Sequence, residues 1–379
     1  MIRHASLVRR CGSVATIALI THGTAIAVEP AHRGASLSFT RMDLLPNGSS
    51  SVALDISPDG AAVVGSAGID GLNEAAVWTP AEGLRSLGRL EDSAFSVAYS
   101  VSSIGPTIVG QSGGRPFRWT PDDGMIDLGT LDSGNLGFGI ARAISDDGQS
   151  AVGVASTDSG FVAARWNAGE PAANLGFFDA PAISPDGDHV AVQTFEAGAY
   201  NAFLTAGAQT HAIGDLSGWD IFTQINAVSL HGTTVVGYSK TESATEAPHD
   251  RAFAWTADTG ITPLPVLEPQ TPQSQAQDLS ADGSVIVGWS QTLVGQRAAL
   301  WFGGQVVDAQ HYFASLGVPG LDGWWLLSAE GVSSDGLTIV GSGINPSGQS
   351  EGWIVRIPSP AATSFAFFAL IARLRRPDR

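Results

Sequence analysis

The chain has 379 residues, with 44% hydrophobic side chains, only 15% charged ones, 46 Gly and 20 Pro. That length and apolar fraction can bury a core. The Gly and Pro content suits many short strands joined by tight turns and argues against a helical bundle. A formal charge of −17 sets the surface against nucleic acid and anionic lipid, so nucleic-acid binding is excluded as a function class.

Residues 1–27 read as a secretory signal. Arg9 and Arg10 precede the apolar run "CGSVATIALI", and "AIA" at 25–27 offers a small-residue cleavage site. Cys11 is the one cysteine and lies inside this segment, so the remaining chain has no disulfide framework and no cysteine metal site. A short linker, 28–39, follows.

From residue 40 to 358 one pattern recurs seven times. Its copies are "DISPDGAAVVG", "SVSSIGPTIVG", "AISDDGQSAVG", "AISPDGDHVAV", "AVSLHGTTVVG", "DLSADGSVIVG" and "GVSSDGLTIVG". Each holds a Ser three residues before a Gly. The glycines are Gly60, Gly105, Gly148, Gly187, Gly232, Gly283 and Gly336, spaced 39 to 53 residues apart. Periods of this length indicate propeller blades, solenoid turns or arrays. Locally, Ser bonds back to the backbone, Pro or Asp suits the next turn positions, and Gly takes the left-handed conformation. The piece is therefore a hairpin tip joining two antiparallel strands. Its acids do not make a calcium loop, because no alternating Asp or Asn run continues past the Gly.

A third strand follows each tip, as in "AAVWTP" and "PFRWTP". It places a Trp at 78, 119, 166, 255, 301 and 353. Large aromatics recurring in phase fill the space between blades. A fourth strand closes each unit, as in "LRSLGRL" and "MIDLGTL". Four antiparallel strands taken seven times predict an all-β, seven-bladed β-propeller. The seventh copy lacks a fourth strand, and a spare one, "TRMDLLP" at 40–46, precedes the first. Joining 41–45 to the blade made by 327–357 closes the ring and removes an open edge.

The segments "PFRWTPDDGMIDLGTL" and "RAFAWTADTG" resemble the HAF repeat family of bacterial extracellular proteins, and 321–358 looks like the last repeat of such proteins. Copy four departs most, with Val192 in place of the strand Gly and no Trp. The strand order also resembles WD40 and TolB-like propellers. That likeness implies that strands such as "ARAIS" are innermost and line the channel, and that the Ser-x-Asp-Gly turns form one face. After Pro358 and Pro360, "AATSFAFFALIA" and "RLRRPDR" resemble the PEP-CTERM sorting tail, though Ser359 stands where Glu is typical. That resemblance implies cleavage of 359–379 by a sorting protease and display at the cell surface or in the extracellular matrix. The apolar stretch, 361–372, is shorter than the ~20 residues of a full span.

The long insertions, 240–250, 268–275 and 311–325, all fall on the face opposite the turns. Variable loops on a rigid ring are where binding usually resides. The candidate binding residues are Trp219, His249, His311, Tyr312, Trp324 and Trp325. The competing reading makes these aromatics apolar anchors beneath the loops. No metalloprotease, Walker or dinucleotide motif appears. "GQSGG" at 110–114 fits G-x-S-x-G but ends a repeat strand, whereas a nucleophile elbow needs a strand-to-helix turn, so Ser112 is not a nucleophile. No catalytic residue, metal site or cofactor is expected. The first functional reading is a secreted, surface-displayed binding or structural module. Its partners would be extracellular polysaccharide or matrix protein. The alternative is a propeller hydrolase or lyase at the channel mouth, which clustered acids there would favour and an Ala, Ser and Val lining would oppose.

Overall fold

The computed structural model describes residues 37–358 apart from 104, 135–136, 197, 217–221 and 244–245, and the side chains of 242–248 are not described. The signal-like segment, the sorting-type tail and Trp219 lie outside the described residues. Seven four-stranded antiparallel sheets follow one another as the blades of a propeller. Six of them use consecutive strands, beginning with Gly48–Ile56, Val63–Ile69, Leu72–Thr79 and Gly83–Gly88 in blade 1. Blade 7 takes Trp325–Val332, Thr338–Ile344 and Ser350–Arg356 from the end of the repeat region. Its outer strand, Ser38–Arg41, comes from the beginning.

The closing strand sits earlier than the sequence suggests. Ser38–Arg41 pairs with Arg356 back to Trp353, and Met42 already turns inward, fully buried, with Asp43 at φ 63°. Arg41 reaches across with two bonds of 2.9 Å to the carboxylate of Glu351, whose side chain is buried.

The turns show why Ser and Gly recur. In all seven, the Ser Oγ accepts the backbone N–H five residues on, at 2.8–3.1 Å. In five, the same hydroxyl donates to the Asp two residues on. Gly148 has φ 71°, and a Cβ there would meet Thr107 of the preceding blade at 2.9 Å. The turns also touch one another. The residue after each Ser donates its N–H to the matching carbonyl of the next blade: Ser103 to Asp146, Asp146 to Pro185, Leu230 to Ala281, Ala281 to Ser334 and Ser334 to Pro58, at 2.9–3.1 Å. Pro58 and Pro185 have no N–H to give. This girdle is therefore interrupted between blades 1 and 2 and between blades 4 and 5.

The six third-strand tryptophans lie between blades and are at most 8% exposed. Five share one slot, opposite Val63, Ile108, Ala151, Val235 and Ile286 of their neighbours. Trp353 departs from the predicted phase. It sits two residues earlier, opposite Gly341, in the slot that Phe117 and Phe253 fill elsewhere. Both slots face the same side of the strand, so the core is filled either way.

Each innermost strand carries a β-bulge next to the channel, as between Ala53 and Asp55 or Ala276 and Asp278. The bulge pushes a carbonyl toward the second strand. A Cβ at Gly288 would lie 2.1 Å from the oxygen of Gln275, and six of the seven second strands hold a Gly at this point. In blade 4 the position is Val192. There the pairing skips from Asp179↔Gln193 to Ala182↔Ala191, giving the side chain room. Gly288→Ala is expected to cost about 2–3 kcal/mol through overpacking. Denaturant unfolding of the variant would check this, and an unchanged midpoint would count against the close approach.

Candidate functional site

The bulges decide what lines the channel. An extra residue in a strand re-aims its side chain. The seven bulge positions are Leu54, Tyr99, Arg142, Pro181, Asn226, Gln277 and Glu330, and every one faces the central cavity. Asp55 and Asp278, one step further along their strands, line it too. The cavity, about 170 Å³, extends to the turn face, where Pro58, Asp146 and Pro185 border it. The lining thus mixes the two expectations: four acids, Asp55, Asp146, Asp278 and Glu330, stand among nine Ala, Ser and Val residues.

Two of these acids also tie blades together. One oxygen of Asp55 accepts the N–H of Ile56, and the other accepts the N–H of Val101 on blade 2 at 3.0 Å. Asp278 makes the same pair of bonds, to Leu279 and to Val332 on blade 7 at 2.8 Å. Burial pushes the Asp55 carboxyl up to about 8, with the neighbouring charge of Asp278 adding to the effect. Burial alone raises Asp278 to about 6. Burial also raises Glu330, against a bond from Ser328. Asp146 rises to about 6 through burial, then through the charges of Asp147 and Asp186. Arg142 is the cation on this wall. Its Nε lies 3.1 Å from Asp179 of blade 4, and it makes no other hydrogen bond among the described residues. No three His, Cys, Asp or Glu side chains converge in metal-binding geometry among the described residues.

The opposite face carries the long connections. Among the described candidates, the structure gathers Trp324 and Tyr312 into one apolar cluster and leaves His249 apart on blade 5. Trp324 is buried, edge-on to Phe39 at 5.1 Å beneath the closing strand, so it belongs to the core. Trp325 is half-buried under the Arg297 guanidinium, 3.9 Å from its ring centre. His311 and Tyr312 lie on a short helix, Ala309–Ser315, capped by Asp308. His311 is exposed, whereas Tyr312 packs on Phe302 and Phe313, and burial raises its hydroxyl to about 12. His249 stands on blade 5, bonded to Thr241 at 3.0 Å, beside a separate cavity of about 500 Å³ that Arg251 and Pro269 also line.

Other residues mark this face more strongly. Eight large apolar side chains are exposed among the described residues. Seven of them lie on the loop face: Leu72, Phe95, Phe138, Phe161, Phe195, Leu293 and Val294. Ile126, on the outer strand of blade 2, is the eighth. Phe138 and Phe161 meet edge-on at 5.7 Å. A run of rings, Phe178, Phe195, Tyr200, Phe222 and Tyr238, continues across blades 4 and 5 at 4.7–6.0 Å between contacting neighbours. The signal was present in the sequence. "DSGFV", "EAGAY" and "LVGQR" put apolar residues beside hairpin-tip glycines, where polar ones are the rule.

A closed ring of seven four-stranded blades around a polar channel defines the chain as a β-propeller protein. No family model and no curated relative matches it. Among solved structures it is similar to an oligogalacturonate lyase in complex with manganese, at TM-score 0.57 and 11% identity, over 88% of this chain and 96% of that one. It is also similar to an oligogalacturonate lyase from Vibrio parahaemolyticus, at TM-score 0.55 and 10% identity, over 86% and 96%. A third likeness is to the β-propeller domain of the Trilobed protease from Pyrococcus furiosus, at TM-score 0.51 and 10% identity, over 81% and 94%. At these identities the likeness is one of fold alone.

Proposed function

We propose that this protein is an exported, surface-displayed binding module whose loop face holds an extracellular polysaccharide or a matrix protein. The observation that carries the reading is the one-sided distribution of exposed apolar side chains. Rings and aliphatic tips crowd one face of a rigid scaffold, which is how interaction surfaces differ from ordinary ones. The signal-like start, the sorting-type tail and the HAF-type repeats support display outside the cell. The acidic body favours neutral polymers over polyanions.

A second reading, a propeller lyase or hydrolase, is favoured by the acid-lined channel. Two of the similar folds are lyases acting on oligogalacturonate. Against it stands the size of the cavity, about 170 Å³, which does not admit a polymer.

The test is a binding panel of neutral and acidic polysaccharides and matrix proteins, with Phe161→Ser and a Leu293→Ser/Val294→Ser double variant alongside. These side chains are exposed, so stability should change by less than about 0.5 kcal/mol. Binding should weaken at least fivefold. Breakdown of a bound polymer would establish the enzyme instead. Binding that ignores both variants would remove the loop face from consideration.

A further inference from the structure

Apart from Asp146 at the turn-face mouth of blade 3, the charges in the channel are segregated around the ring. Asp278, Glu330 and Asp55 stand on blades 6, 7 and 1, which are consecutive. Arg142 stands on blade 3, and its partner Asp179 on blade 4. In a seven-membered ring, blades 3 and 4 lie across from blade 7. The cavity therefore has an acid arc on one wall and a guanidinium on the other. Tyr99 on blade 2 and Asn226 on blade 5 add neutral donors and acceptors between them. Asp179 occupies the Nε edge of Arg142 and leaves its terminal amines without a protein partner among the described residues. An ordinary structural ion pair would not need the acid arc opposite.

We propose that the channel is a binding site for a small zwitterion, an α-amino acid or a molecule of the same charge layout. Its ammonium lies toward Glu330, Asp55 and Asp278, and its carboxylate lies on Arg142. The cavity volume of about 170 Å³ suits a molecule of that size and not an oligosaccharide. The route in is the turn face, between Pro58, Asp146 and Pro185, which is the face opposite the apolar loops. The site is thus independent of the loop-face reading. Burial keeps Asp55 of the empty channel partly protonated at pH 7, so an arriving ammonium displaces protons.

The full chain is titrated calorimetrically at pH 7 with the common amino acids and glycine betaine. Ethylamine and acetate serve as the two half-ligands. At least one zwitterion should bind ten times tighter than either half, with protons released, as read from the buffer dependence of the heat. Arg142→Gln and Glu330→Gln should each weaken it tenfold or more. If Arg142→Gln does not fold, Glu330→Gln and Tyr99→Phe carry the test. Three results would overturn the proposal: no zwitterion binding, ethylamine binding as tightly as any zwitterion, or binding indifferent to these variants. Silence in the polysaccharide panel would leave this site untouched, and silence here would leave that panel untouched.

Discussion

A chain lacking residues 1–45 is expected to lose its cooperative unfolding transition or to unfold far below the full chain. The closing strand, Ser38–Arg41, is short, but it holds much of the last blade. Met42 is fully buried between blades 1 and 7, and loss of such a side chain alone costs about 2–5 kcal/mol. Phe39 covers Trp324. Arg41 neutralises Glu351, which would otherwise be a buried carboxylate with only Asn345 beside it. Removing the strand also bares the edge of Ser350–Arg356 to other chains. The summed effect is about 5 kcal/mol or more. Arg41→Ala isolates one part, expected at about 2 kcal/mol because the guanidinium is half exposed. Thermal unfolding followed by circular dichroism reads both. A truncated chain that melts cooperatively within a few degrees of the full one would refute the closure.

Stability is expected to fall as pH rises from about 4 to 8. The sign follows from Asp55 and Asp278, whose folded-state values, about 8 and about 6, exceed the 3.8 of an unperturbed carboxyl. Below pH 4 both folded and unfolded states hold these protons. Above it the unfolded chain loses them while the folded chain keeps them, so each further pH unit favours unfolding. The loss continues to pH 6 for Asp278 and to pH 8 for Asp55. Each group contributes at most about 1.4 kcal/mol per unit, and water in the channel reduces this. Asp186 and Asp282 are shifted down and act in the opposite direction, on the acid side of the usual carboxylate range. Melting temperature measured from pH 4.5 to 8.5 should decline, and Asp55→Asn should flatten the part above pH 6. A melting temperature that climbs across that range would contradict the assignment.

The blades were legible in the sequence because the turn is local. Ser57 needs only the next five residues to form its bonds, so seven copies of the same chemistry announce seven hairpins. The closing strand was legible as an unpaired repeat, but its ends were not. Nothing in "SFTRMDLLP" says that Met42 must leave the ladder to fill a cavity between distant segments. Trp353 shows the same limit, since two slots on one strand face accept a large ring equally well. The exposed rings of the loop face are phenylalanines at or near the hairpin tips, whereas Trp324 and Tyr312 pack together beneath it. Trp324, the more conspicuous of the two, was needed in the core. The channel lining was least visible. A bulge shifts a strand's alternation by one residue, so the alternation in "ARAIS" marks an innermost strand without marking Arg142 as the side chain that enters the channel.

Two prolines interrupt the girdle of the turn face. Where Pro58 withholds its N–H, the carboxylate of Asp55 spans blades 1 and 2. Where Pro185 withholds its own, Asp186 and His231 meet across blades 4 and 5 at 2.7 Å. A backbone hydrogen bond between amides is indifferent to acidity, but the carboxyls of Asp55 and Asp186 titrate. The ring is therefore divided into an arc of three blades and an arc of four, joined at two proton-sensitive hinges. If it breathes, amide exchange should quicken first at those two junctions, and by an amount that the acidity of the surroundings sets.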